Sequence, residues 1–261
     1  GTTALMHAAT KGHERVVELL LQRGAEVNLQ NSYGGTALML AAQEGHERAV
    51  ELLLQRGADP NLQKSDGWTA LMRAAQEGHE RVVDLLLQHG AELNLQDSIG
   101  VTALMAAAAK GESALQYARE EGHAECVEAF RQHISEVTAS RREAAAGGAG
   151  GASLGEAAAS SSSLGRLPKE AMEAALHGDE AALLAWIDSG GRVNATCVVD
   201  VSGVTVLMLA AGSGHERAIE LLLQRGAGAN LQDSDGVTAL MGAAFKGHER
   251  VVDLLLQRGA D

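Results

Sequence analysis

The chain has 261 residues, a formal net charge of −13 and 46% apolar residues, with only two each of Trp, Tyr and Phe. The apolar share excludes a wholly disordered chain, and the core must be built from Leu, Val and Ala, which favours closely packed helices over a β-sandwich or barrel. Because the net negative charge repels phosphate backbones and anionic membrane surfaces, we predict an all-α protein that binds neither nucleic acid nor membrane.

Targeting signals and cysteines point to an intracellular protein. No apolar run approaches the ~18 residues of a membrane span, and no charged-then-apolar leader opens the chain. Cys126 and Cys197 lie far apart without a metal-binding spacing, as expected in a reducing compartment. We predict a cytoplasmic location, although the sequence starts at Gly1, inside a repeat, so that a leader on a longer parent chain stays open.

An internal repeat dominates the sequence. The word G-x-T-(A/V)-L-M recurs in three successive steps of 33 residues and later in another step of 33. Its copies start at Gly1, Gly34, Gly67, Gly100, Gly203 and Gly236. A fixed period of this length is the signature of a repeat array whose units stack on one another.

Each unit is predicted to hold two helices and a loop. In the first unit, Thr3 is placed to cap a short inner helix whose apolar positions recur at i, i+3 and i+4. Gly12 ends this helix, and a second apolar stripe from Val16 predicts an outer helix. Gly24 stands where a left-handed C-terminal residue is expected. One such pair cannot bury both its faces, so neighbouring pairs must stack.

The repeat unit reads G-x-T-A-L-M-x-A-A-x-x-G-H-E-R-x-V-x-L-L-L-Q-R-G-A-x-x-N-L-Q. It resembles the ankyrin repeat, whose T-P-L-H-x-A-A word stands here as T-A-L-M-x-A-A, with Ala at the family's Pro and Met at its His. The resemblance implies a solenoid of stacked helix pairs with short loop or β-hairpin fingers. It also implies that loop tips and inner helices form a concave surface that grips protein partners.

The first array covers residues 1–132, starts without a cap and ends irregularly. A second inner-helix word, "GESALQYA" at Gly111, follows the word at Gly100 after only eleven residues. The words from 111 to 130 resemble a terminal ankyrin repeat. We therefore predict three helices that close this end, at about 102–110, 112–121 and 124–132.

A linker and a second array follow. Residues 133–167 are predicted to be a flexible linker, because the stretch is rich in Ala, Gly and Ser and poor in core residues. The second array covers 168–261. It starts at Pro168 with a helix pair whose repeat words are replaced by charged ones, as in a cap, and it ends uncapped at Asp261.

The two open ends fall at the same point of the repeat, between an outer helix and the next inner helix. We therefore hypothesise that residues 251–257 stack on residues 5–21 within one chain. This arrangement would give one solenoid in the spatial order 168–261, then 1–132. The alternatives are head-to-tail contact between molecules, which propagates as filaments unless the rotation closes a ring, or two independent arrays.

No motif predicts catalysis or a metal. The recurrent His-Glu pair, as at His13, resembles the start of the zinc motif H-E-x-x-H, but the fifth position is always Val or Ile. Histidines of stacked units lie roughly 10 Å apart, too far to share a metal at ~2 Å. His123 and Cys126 are only two ligands, and the glycines from 147 to 155 form no phosphate loop. We predict no enzyme, no cofactor and no metal.

Comparison of the units predicts where a partner binds. The outer helix hardly changes between units, whereas the variable positions gather around the loop glycine and along the inner helix. The central predicted patch is Tyr33, Trp68, Arg73 and Ile99, surrounded by Leu40, His7, Gln43, Gln76 and Phe245. Trp, Tyr and Arg are frequent interface anchors.

The predicted function is a non-catalytic protein–protein interaction scaffold. Neutral drift at exposed positions of a duplicated unit would also produce the variable positions. The alternative function is a structural or self-assembling repeat module joined through its uncapped array ends.

Overall fold

The structure, a computed structural model, describes residues 1–108, 167–197 and 203–261. These ranges contain helices joined by short loops, and their only β contact is an isolated bridge between Thr196 and Thr205. The helices are α1 (Ala4–Lys11), α2 (Glu14–Gln22), α3 (Ala37–Glu44), α4 (Glu47–Gln55), α5 (Ala70–Glu77), α6 (Glu80–Gln88), α7 (Ala103–Ala108), α8 (Lys169–His177), α9 (Glu180–Asp188), α10 (Val206–Ser213), α11 (Glu216–Gln224), α12 (Ala239–Lys246) and α13 (Glu249–Gln257). The predicted all-α repeat fold is confirmed.

The inner helices form as the repeat word predicts. Thr3 caps α1 because its hydroxyl oxygen accepts a hydrogen bond from the Met6 N–H at 3.2 Å. The equivalent Thr caps every described inner helix of a regular unit. Met6, which replaces the family's His, is buried, and Ala8 and Ala9 are fully buried, so neighbouring inner helices approach closely. Gly12 ends α1 at φ 67°, a conformation that favours glycine.

The outer helices are short and amphipathic. Each of them in the regular units begins with Glu after a His and buries Val, Ala, Ile and Leu side chains toward the inner helices, as Val17 and Leu20 do in α2. The following loops fold back on themselves, for example through a 2.9 Å hydrogen bond from the Asn31 N–H to the Gly35 carbonyl. These hairpin-like loops are the fingers that the resemblance implied.

The pair α8 and α9, predicted to be a starting cap, differs from the regular units in the residues that begin its helices. Pro168 precedes α8, and the Asp179 carboxylate caps α9 by accepting a hydrogen bond from the Ala182 N–H at 3.0 Å. Leu183 is the buried residue of α9, whereas Trp186 is half-buried against the core. Within the described residues, this pair packs against the α10 and α11 pair on one side.

Of the three helices predicted to close the first array, the one at 102–110 corresponds to α7 (Ala103–Ala108). The helices predicted at 112–121 and 124–132 lie outside the described residues. Most of the predicted linker at 133–167 also lies outside them.

Histidine rings join one pair to the next along the stack. His46 Nε2 lies 3.0 Å from the Thr10 carbonyl oxygen, and His79 Nε2 lies 2.9 Å from that of Gln43. The equivalent bonds are His215 to Leu176 and His248 to Gly212. Because a carbonyl only accepts, each ring donates from Nε2. The recurrent histidine therefore has a structural role that repeats with the unit.

The His79→Ala variant tests this role. Loss of the bond to the Gln43 carbonyl is expected to lower the free energy of unfolding by about 1 kcal/mol, measured by urea denaturation. His89→Ala is the matched control, because His89 is exposed and its Nδ1 bonds the Leu85 carbonyl of its own helix at 2.8 Å. An equal loss in both variants would contradict the inter-repeat role.

The helix pairs stack in an order that differs from the sequence. Inner helices pack in the order α8, α10, α12, α1, α3, α5 and α7, and outer helices in the order α9, α11, α13, α2, α4 and α6. The pairs of residues 168–261 therefore precede those of residues 1–108 along one stack. We call the packing of α12 and α13 on α1 and α2 the junction.

The junction uses the same contacts as the other steps of the stack. His13 Nε2 bonds the Phe245 carbonyl at 3.0 Å, as His46 bonds Thr10. Two ion pairs, Arg23 with Asp253 and Arg15 with Glu249, join the outer helices. The hypothesised contact of residues 251–257 with the first helix pair is thus present within one chain. Leu255 on α13 is fully buried and Leu256 is half-buried.

Candidate partner-binding surface

The predicted binding residues lie on one side of the helix stack. In α1 the side chains at the fourth, seventh and eighth positions are half-buried or exposed, whereas most of the others are buried. The fourth positions of α1, α3 and α5 are His7, Leu40 and Arg73. We call the row of these positions along the stacked inner helices, with the adjacent loop tips, the inner face.

The loop tips present large side chains to solvent in fixed positions. Tyr33 is 72% exposed and Ile99 is 78% exposed. Each lies in a turn closed by a side-chain oxygen. The Tyr33 N–H donates to Asn31 Oδ1 at 3.0 Å, and the Ile99 N–H donates to Asp97 Oδ1 at 2.9 Å. Adjacent tips are joined as well, because the Ser65 N–H donates to the Tyr33 carbonyl at 3.1 Å. The tips are therefore held by hydrogen bonds within each loop and between adjacent loops.

Trp68 and Arg73 form a stacked pair between these tips. The guanidinium carbon of Arg73 lies 4.4 Å from the centroid of the Trp68 ring, a cation–π contact, and Arg73 also reaches Gln76 at 3.4 Å. Trp68 is half-buried and packs against the core. The Trp68 ring is therefore not fully open to solvent, because it packs on the core and is covered by Arg73.

Charged groups surround this stacked pair. Although partial desolvation acts in the opposite direction, the pKa of Asp66 is lowered by a hydrogen bond from the Trp68 N–H and by the nearby charges of Lys64 and Arg73. Lys64 Nζ lies 3.4 Å from the Asp66 carboxylate. Asp66 is thus ionised at neutral pH, and the patch combines an aromatic ring with charges of both signs.

The remaining predicted residues fall into two groups. Leu40 and Gln43 on α3 and Gln76 on α5 are half-buried and lie within the helices that carry the central patch. His7 and Phe245 lie instead at the junction, on α1 and α12. Their ring centroids are 5.8 Å apart with the rings nearly perpendicular. Burial lowers the pKa of His7, so its ring is neutral at neutral pH.

Two lysines at the junction, Lys11 and Lys246, were not among the binding residues predicted from the sequence. Lys11 Nζ lies 4.6 Å from the centroid of Phe245, and Lys246 Nζ lies 5.8 Å from it. The corresponding positions of the next two units are Glu44 and Glu77, so a sign change along the inner face was readable in the sequence. The sequence did not show that these lysines lie together, because Lys11 and Phe245 come from opposite ends of the chain and meet only at the junction.

Other parts of the described structure carry no stronger site. Within residues 1–108, 167–197 and 203–261, no three His, Cys, Asp or Glu side chains are grouped to hold a metal ion. None of the helices described above is long and apolar enough to cross a membrane. A groove of about 440 Å³ near the starts of α2 and α4 is lined by charged residues such as Glu14, Glu47 and Arg48, and by none of the predicted binding residues.

Comparison with known proteins identifies the repeat. The family described as ankyrin repeats matches the chain in three copies, at residues 1–64, 57–113 and 171–261. These matches cover more than half of the chain. No curated protein sequence matches it.

Proposed function

The chain belongs to the ankyrin-repeat family, and we propose that it is a non-catalytic scaffold that binds a protein partner on its inner face. Ankyrin repeats are in general protein–protein interaction modules. The observation that carries the proposal is the pair of exposed tips, Tyr33 and Ile99, on either side of the stacked Trp68 and Arg73.

The chemistry of this patch suits a protein interface. Tyr, Trp and Arg are enriched among residues that dominate binding energy, and large apolar side chains gain most from being covered. The tips are already tied to each other, through the Ser65 N–H to the Tyr33 carbonyl and the Ser98 N–H to the Asp66 carbonyl. Ordered loops lose little entropy on binding, which favours affinity.

The structure favours the scaffold over self-assembly through the array ends. Head-to-tail assembly would use the faces of α13 and α2, but these helices contact each other within one chain. We therefore propose a monomer in which the two array ends, at α12 and α13 and at α1 and α2, already cover each other. Light scattering that shows a concentration-dependent oligomer would support the assembly function instead.

Affinity capture from the native extract tests the proposed surface. A protein retained by the wild-type chain is expected to bind the Trp68→Ala/Arg73→Ala variant about 10- to 30-fold more weakly, since anchor residues typically contribute ~2 kcal/mol. Arg56→Ala is the matched control, because it removes the same charge from the exposed end of an outer helix. If the wild-type chain and the double variant retain the partner protein equally, the assignment of the binding surface to Trp68 and Arg73 is wrong.

A further inference from the structure

We propose that the junction forms a second binding site on the inner face, for an acidic peptide segment of a protein partner. The proposal rests on the proposed function of the inner face and adds the chemistry of the ligand. The site consists of Lys11 from α1, Phe245 and Lys246 from α12, and the open space beside Gly212 and Gly242.

The lysines carry the argument. Four lysines are described, and two of them form ion pairs, Lys64 with Asp66 and Lys169 with Glu173, each at 3.4 Å. Lys11 and Lys246 form no ion pair with any carboxylate in the described ranges.

Instead both lysines converge on the ring of Phe245, at 4.6 and 5.8 Å from its centroid. In a chain of net charge −13, two ammonium groups that have no carboxylate partner among the described residues, beside one aromatic ring, form a local positive patch. Such a patch attracts a short anionic ligand, which would supply the missing counter-charges.

Two glycines near Phe245, Gly212 on α10 and Gly242 on α12, leave space at the surface. A Cβ placed on Gly212 would meet no atom within 4 Å, and one placed on Gly242 would meet only the Gly212 Cα at 4.0 Å. The position equivalent to Gly242 holds a long side chain in the central units, Leu40 or Arg73. Gly242, one helical turn before Phe245, and Gly212 on the neighbouring helix α10 therefore leave room for a ligand side chain close to the ring.

The chemistry favours a peptide over a nucleic acid. The Phe245 ring and the glycine backbones suit an apolar side chain, and the lysines suit carboxylates placed near it along an extended segment. Glu44, one unit further along, limits the positive patch to the junction. A long polyanion would have to pass the carboxylates of the neighbouring units, and the net charge repels it.

The site depends on the junction for its existence. Lys11 and Phe245 are brought together because α12 packs on α1, and the bond from His13 Nε2 to the Phe245 carbonyl, at 3.0 Å, fixes this contact. A segment that binds both lysines therefore contacts α1, near the start of the chain, and α12, near its end. Binding is therefore expected to stabilise the junction, since a ligand that binds only the stacked state shifts the equilibrium toward it.

Selection from a random peptide library displayed on phage, with the full chain as bait, tests the site. The enriched peptides are expected to contain more Asp and Glu than the unselected library. Synthetic copies are expected to bind the Lys11→Glu/Lys246→Glu variant about tenfold more weakly than wild type, because both attractive pairs become repulsive. The Phe245→Ala variant is expected to weaken the same peptides.

The control is Arg56→Glu/Arg217→Glu, which makes the same change of charge at exposed positions of outer helices. It is expected to leave peptide affinity unchanged, and thermal melts followed by circular dichroism show that every variant is folded.

The outcomes separate this site from the proposed function. One outcome overturns the junction site and leaves the central patch intact. In it, the selected peptides show no acidic enrichment, bind the lysine variant as tightly as wild type, and bind the Trp68→Ala/Arg73→Ala variant more weakly. Peptides insensitive to both variants, or a library that yields no binder, count against both. Lysine-dependent binding of a fluorescent single-stranded oligonucleotide, without acidic peptides, would overturn the assignment to a peptide.

Discussion

The Gly247→Ala variant is expected to unfold with a free energy about 2–3 kcal/mol lower than wild type. Gly247 has φ 76°, where an L-residue is strained by about 1–2 kcal/mol. A Cβ at this position would also lie 2.6 Å from His13 Nδ1. The imidazole would have to move, which breaks its bond to the Phe245 carbonyl and costs about 1 kcal/mol more. Urea denaturation followed by circular dichroism measures the difference.

Two further glycines isolate the part of this loss that belongs to the junction. Gly259 has φ 80°, but a Cβ there would meet nothing within 4 Å, so Gly259→Ala reports backbone strain alone. Gly12 has its Cβ position 2.5 Å from His46 Nδ1, within the first array. Gly247→Ala is expected to match Gly12→Ala. If it matches Gly259→Ala instead, His13 does not cover Gly247 in solution and the junction is absent.

The Leu255→Ala variant is expected to have an unfolding free energy about 3 kcal/mol lower than wild type. The loss is expected to lower the stability of the helix pairs on both sides of the junction. Leu255 is fully buried on α13, and large-to-small changes at such positions cost ~2–5 kcal/mol. Because each pair of a repeat array is stabilised by its neighbours, a weakened α13 also weakens the packing of α2. Residues 1–108 and 168–261 are therefore expected to unfold together.

The chain's two tryptophans allow a direct test, because one lies on each side of the junction. Trp186→Phe leaves Trp68 as the reporter for the first array, and Trp68→Phe leaves Trp186 as the reporter for the second. In both backgrounds Leu255→Ala is expected to shift the fluorescence transition to lower urea by the same amount. Leu86→Ala, equally buried on α6, is the control from the other side. Shifts confined to the reporter on the mutated side would show two independent arrays.

The candidate site was only partly predictable. Tyr33 and Ile99 were identified from variation between units, and they are among the exposed large apolar residues of the described chain. Loop-tip exposure follows from the position of a residue in the unit, so sequence comparison suffices there. The half-buried state of Trp68 was not predictable, because it depends on the side chain of Arg73 and on the core beneath the ring. The role of Lys246 was not predictable either, because only the packing of α12 on α1 brings it close to Lys11.

The sequence by itself determined the local elements of this protein. A Thr cap, a run of buried alanines and a left-handed glycine recur in each regular unit that the structure describes in full, and each of these effects acts within a few residues. The repeat period of 33 residues then predicted that the helix pairs stack, because one pair cannot bury both of its faces. The two open array ends suggested which pair follows which, but head-to-tail contact between molecules and two independent arrays stayed open. The tertiary structure decided among them, because an outer helix such as α13 has nearly the same stripe as every other outer helix. The packing of α12 on α1 places the pairs of residues 168–261 before those of residues 1–108 and brings Lys11 to Phe245. Repeated sequence specifies that a face must be covered, and only the folded chain selects which equivalent neighbour covers it.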